Sequence, residues 1–153
     1  MSCIVSWIET FSSALLVPLI ACIAALIAYW QWKTAQNKLK LDLFDKRLAV
    51  YEGVTSFIAH VFQTGKVTDD EVRAYMQATR NAKWLFSEEV ASYLNSIYEK
   101  AIDIQAYRAQ LEGVPVGDRR TELVNKESSA KKWLVAQFSV VDEHFRNYME
   151  INH

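Results

Sequence analysis

Basic residues are missing from the first 32 positions, where Glu9 is the only charge and the first lysine to appear is Lys33. Cysteine is scarce, and Cys3 and Cys22 both fall in that stretch. Everything after it is therefore without thiolate catalysis, disulfides or thiolate zinc sites. Glycine occurs four times, at positions 53, 65, 113 and 117, and none precedes the Lys-Ser/Thr that closes a phosphate-binding loop. A basic excess is lacking too: leaving out Glu9, the 18 acidic residues fall to the same number as the 17 basic ones, all beyond position 32. A nucleic-acid partner is not expected from such a balance. His60, His144 and His153 are the only histidines, and the nearest match to a Glu-x-x-His metal motif, "VDEH" at 141 to 144, has valine where glutamate is required. No metal and no cofactor is expected.

What is present divides the chain. Residues 10–32 carry no formal charge, and a helix of that length reaches roughly 35 Å against a hydrocarbon core of about 30 Å. Leu15, Leu16, Val17, Leu19, Ile20, Ile23, Leu26 and Ile27 surround the helix axis, and Trp7, Trp30 and Trp32 stand at its two ends, where amphipathic rings favour headgroups. A transmembrane helix is expected there. Leu19-Ile20-Ala21-Cys22 resembles a lipoprotein cleavage site, but no basic residue precedes it and apolar residues follow, so cleavage is not expected. Lys33, Lys38, Lys40, Lys46 and Arg47 mark the cytoplasmic side by the positive-inside rule. The expected layout is an extracytoplasmic N-terminus at 1–9, the span at 10–32, a basic neck at 33–40 and a cytoplasmic bundle at 41–153.

The expected fold is all-α. Leu41, Phe44, Leu48, Tyr51, Thr55, Ile58 and Phe62 alternate spacings of three and four, with Leu43, Val50, Val54, Phe57 and Val61 beside them, a wide apolar helix face. Upstream, in "KTAQNKLK" at 33 to 40, Thr34 and Asn37 interrupt the apolar stripe at positions in phase with it, which marks a solvated neck. Gly65 is a C-terminal cap, and "TDDE" at 68 to 71 is a capping box opening a second helix that carries Val72, Tyr75, Met76 and Phe86. Ser87 precedes a third, with Val90, Leu94, Ile97, Ala101 and Ile104. After "EGVPVGD" a last long helix from about Asp118 carries Leu123, Ala130, Leu134, Phe138, Val141, Phe145 and Tyr148. Short connections make neighbours antiparallel, giving a bundle of about four helices whose first continues the membrane anchor and holds the bundle at a set height.

Candidate functional residues are few. Asp69, Asp70, Glu71, Glu88 and Glu89 sit where helices begin, which capping and the helix dipole explain. Lys38, Asp42 and Lys46 are spaced for surface ion pairs, and Asp42, Asp45, Lys46 and Arg47 for register-setting pairs within or between chains. Phe44 and Trp133 join these four as interaction candidates. Arg146 and His153 have the Arg-x6-His spacing that resembles helical ribonucleases of the HEPN class, the weak catalytic candidates of the chain.

"KLKLDLFDKRLAVYE", followed by "WLFSEEVASYL", "KKWLVAQF" and "FRNYMEI", resembles a family of small bacterial single-pass membrane proteins with a juxtamembrane motif of this type and a cytoplasmic helical domain. The resemblance implies the bacterial inner membrane and supplies no catalytic residue. The expected function is a noncatalytic, membrane-anchored interaction module. Its partners would be the lipid bilayer and either a second copy or another membrane or cytoplasmic protein. The alternatives are a self-assembling membrane-disrupting effector, suggested by Ala21, Ala24, Ala25 and Ala28 at close-packing spacings, and the ribonuclease.

Overall fold

The computed structural model describes the backbone of residues 2–150 and the side chains of residues 18–150. The described chain is all-helical: α1 (Ser2–Thr64), α2 (Asp69–Thr79), α3 (Ala82–Leu85), α4 (Glu88–Leu111), α5 (Asp118–Ala136) and α6 (Val141–Met149), with a 3-10 turn at Gln137–Ser139. It divides into two units, Met1–Asp42 and Leu43–His153.

The first unit is the N-terminal part of α1. Every side chain from position 18 to 42 is exposed, among them Leu19, Ile20, Ile23, Leu26, Ile27, Trp30 and Trp32. Among the described residues no helix is long and apolar enough to cross a membrane. Residues 18–32 alone reach about 22 Å, short of a bilayer core of about 30 Å. The remainder of the expected span, at 10–17, lies outside the described side chains, as does Trp7.

The second unit is an antiparallel four-helix bundle built from residues 43–64 of α1, α2 with α3, α4, and α5 with α6. Its core comprises Val50, Val54, Phe57, Ile58 and Val61 of α1, Tyr75 of α2, Leu94, Ile97 and Ile104 of α4, Leu134 of α5, and Val141 and Phe145 of α6. Local chemistry sets the helix ends. Gly65 takes φ +62° and its N–H donates to the Val61 carbonyl at 2.9 Å, a left-handed cap that a side chain would resist. The capping box forms: Glu71 N–H donates to Thr68 Oγ1 at 3.4 Å, and Thr68 N–H donates to Glu71 Oε2 at 2.8 Å. Ser87 stands at the N-cap of α4 without capping through its hydroxyl. Its backbone N–H donates instead to Tyr148 Oη at 3.1 Å.

Three sequence expectations are redrawn. The second helix stops at Thr79, and a single turn, α3, replaces its expected continuation to Phe86. The last helix breaks at residues 137–140, where the buried Gln137 side chain donates to the Trp133 carbonyl at 3.0 Å and Ser139 Oγ donates to the Ala136 carbonyl at 2.9 Å. A side-chain bond like that of Ser139 competes with regular helix, and Gln137 takes the core position expected for Phe138, which is 57% exposed. The third change concerns α1. Of its regular stripe only Ile58 is buried; Phe62 is 70% exposed, Leu41 is exposed, and Phe44, Leu48 and Tyr51 are half-buried. The core takes the neighbouring Val50, Val54, Phe57 and Val61 instead.

Candidate functional site

In the second unit the half-buried part of that stripe meets α6. Phe44, Leu48 and Tyr51 of α1 face Phe145 and Met149 of α6 across a cleft of about 470 Å³, with Asp142, Arg146 and Glu150 along its rim. The two sides share a reason: three- and four-residue spacings stack these side chains on one face of each helix. The floor is aromatic. Tyr51 meets Phe145 edge-on at 5.6 Å, Phe145 meets Phe86 at 5.0 Å, and Phe86 meets Tyr148 at 5.1 Å, all near perpendicular.

Polar contacts fix these walls. Tyr51 Oη donates to Asp142 Oδ1 at 2.7 Å, and this bond to a carboxylate, with some burial, raises the Tyr51 pKa above its ordinary value. Arg47 lies behind the floor: its Nε donates to the Leu85 carbonyl at 3.2 Å, and its guanidinium sits 5.3 Å from the Tyr148 ring centre. α1, α3 and α6 are thereby tied together at one end of the bundle. The result is an apolar trough with charges of both signs at its edge, suited to burying apolar side chains of a helix.

Phe44 and Arg146 are brought together in this groove, and Arg47 supports it from behind. Asp42, Asp45 and Lys46 are exposed on α1, and no ion pair among the described residues includes them or Lys38, so the expected pairing of Lys38, Asp42 and Lys46 does not form. Trp133 is elsewhere, partly buried on α5 beside a shallow cleft with Tyr107 of α4. His153 lies outside the described residues, and with it the Arg146–His153 pairing.

Met149 and Asp142 were not among the sequence candidates. Both share the face of Phe145, three and four residues from it on α6, so their spacing carries the signal that could have found them, while what they meet on α1 is a long-range feature. The buried tyrosines are likewise long-range features. Tyr75 Oη donates to the Leu94 carbonyl at 2.8 Å, and Tyr93 stacks on the His144 ring at 3.9 Å with its own hydroxyl buried and without a partner among the described residues. Burial pushes the Tyr93 hydroxyl up to about 12 and raises that of Tyr75 as well. Glu71, besides its capping bond, pairs with His60 at the end of α1. Among the described residues no group of three or more His, Cys, Asp or Glu side chains is placed to hold a metal ion. Compared with protein-family models, curated proteins and solved structures, the chain gives no match.

Proposed function

We propose that this chain is a membrane-anchored helical interaction module of the bacterial inner membrane, inserted through residues 10–32 with its N-terminus outside and its bundle in the cytoplasm. The observation that carries this reading is the uniform exposure of an apolar helix: Leu19, Ile20, Leu26, Trp30 and Trp32 are each more than half exposed, on all sides of α1. Water is a poor solvent for such a surface, and lipid is a good one. The lysines that follow, Lys33, Lys38 and Lys40, support the orientation. The bundle contributes the α1–α6 groove, where a partner helix burying Phe44, Leu48 and Met149 gains about 25 cal/mol for each Å² of apolar surface covered. The bacterial setting rests on the family resemblance of the "LDLFDKRLAVYE" segment.

Two measurements test the reading. A fluorescent reporter that matures only in the cytoplasm, fused after His153, is expected to fluoresce; a dark but intact fusion would refute the orientation. A photoreactive side chain at Leu48 is expected to capture a partner in native membranes, while one at the exposed Glu99 on α4 does not. Equal capture at both positions, or none at Leu48, would refute the groove as the acting surface.

A further inference from the structure

We propose that the partner of α1 is α1 of a second copy, the two packing as a parallel coiled coil through residues 34–48. The parallel orientation rests on the anchored reading above, because two chains inserted the same way run in the same direction.

The bundle does not use the most regular pattern in its own first helix. Counted in sevens, Thr34, Leu41 and Leu48 occupy one core position and Asn37 and Phe44 the other. Upstream the same count passes through Ile20, Ile23, Ile27 and Trp30, so the spacing runs over about four heptads, with the polar Thr34 and Asn37 between its two apolar parts. A seam of this kind specifies burial against another helix. Yet Leu41 is exposed, Phe44 and Leu48 are only half-buried, and the core of the bundle lies against the neighbouring stripe. The seam ends where the next residue in phase, Tyr51, is taken by Asp142 and Phe145 of its own chain.

A second copy brings opposite charges together beside the Leu41–Phe44 layer. Lys40 precedes the core position at Leu41, and Asp45 follows the one at Phe44; in a parallel pair these flanking positions meet across the seam, Lys40 of each chain against Asp45 of the other. The two contacts are equivalent by two-fold symmetry. Neither Lys40 nor Asp45 enters an ion pair within its own chain among the described residues. By the same symmetry two like-charge contacts, Lys33 of each chain with Lys38 of the other, fall beside Thr34 and Asn37, so the attraction is confined to the Leu41–Phe44 layer. Asn37 then faces its own mate, as Thr34 does, and a polar core residue of this kind fixes register and strand number. Pairing in this register also covers Phe44 and Leu48, the α1 side of the groove.

Two leucines make the test. Leu39 and Leu41 are 55% and 54% exposed, so general stickiness treats them alike, but only Leu41 is on the seam. In the full-length chain with Cys3→Ser and Cys22→Ser, oxidation in membranes is expected to cross-link Leu41→Cys at least about tenfold more than Leu39→Cys. Seam positions of two helices come within disulfide reach, whereas outer positions are separated by helix diameters of about 10 Å. Co-capture of two differently tagged chains is expected to fall with Lys40→Asp and to return with Lys40→Asp plus Asp45→Lys. Equal cross-linking at 39 and 41, or no recovery in the double swap, would overturn the pairing. Absence of the chain from the membrane fraction would refute the anchor instead, and the contrast between positions 39 and 41 in the soluble fraction would still decide the seam.

Discussion

Gly53 lies where α1 comes closest to α2, and a methyl group there would meet Ala78 Cβ closer than 3.0 Å. Carbon atoms settle at roughly 3.5–4.0 Å, so Gly53→Ala forces the two helices apart by at least about 0.5 Å in the middle of the bundle. Two effects oppose each other. Alanine favours a helix over glycine by about 1 kcal/mol, while overpacking costs about 1–3 kcal/mol. The expected balance is a loss of about 1 kcal/mol, or a fall of about 4 °C in Tm for a domain of this size. Ala78→Gly alone loses about 1 kcal/mol of helix propensity, but in combination it vacates the space that the added methyl group at position 53 needs. The pair is therefore expected near the parent stability rather than about 2 kcal/mol below it, a coupling of about 2 kcal/mol. Urea unfolding of a fragment beginning at Lys38, followed by far-UV circular dichroism, reads all four corners. Gly53→Ala stabilising by the full helix-propensity gain, with Ala78→Gly strictly additive, would refute the close approach of α1 and α2.

Thr68→Ala removes one half of the capping box and is expected to cost about 1 kcal/mol in the same unfolding assay. Tyr93 is held protonated by burial, so the unfolded chain, whose tyrosines ionise near their ordinary value of 10.0, loses its protons first as pH rises. Its contribution to stability is complete below pH 10 and is lost as pH rises to about 12. An ultraviolet titration should show a late tyrosine step that coincides with loss of helix, and full ionisation of a still-helical bundle by about pH 11 would contradict it. Arg47→Ala deletes both the bond to Leu85 and the contact with Tyr148, and is expected to destabilise the bundle by about 1–2 kcal/mol. Arg47→Lys should not restore it, since an ammonium lacks the planar face that lies over the ring. Recovery with lysine would mean that charge alone matters there.

What could be read from the sequence was local. The capping box at Thr68 and Glu71, the turn at Gly65 and the periodicity of α4 depend on residues a few positions apart, and each is found where the spacing places it. The choice between two apolar stripes on α1 was not local. Leu41, Phe44, Leu48 and Phe62 form the cleaner repeat, but the close approach of Gly53 to Ala78 and the contact of Phe57 with Tyr75 at 4.9 Å turn the other stripe inward. Gln137 hid the break in the last helix, because an amide inside a helical pattern reads as a surface residue until its burial is known. The groove is non-local in the same way. Phe44 and Arg47 stood out from the "LDLFDKR" segment, whereas Met149 and Asp142 line the cleft only because α6 packs beside α1.

Whether the apolar part of α1 is bathed in lipid bears most directly on everything proposed above. Flotation of cell membranes through a density gradient after a high-salt wash, comparing the full chain with the fragment beginning at Lys38, measures it. The full chain is expected to float with the membranes and resist the wash, while the fragment stays in the soluble fraction and remains helical. A full chain left in the soluble fraction, or released by salt, would contradict the anchor.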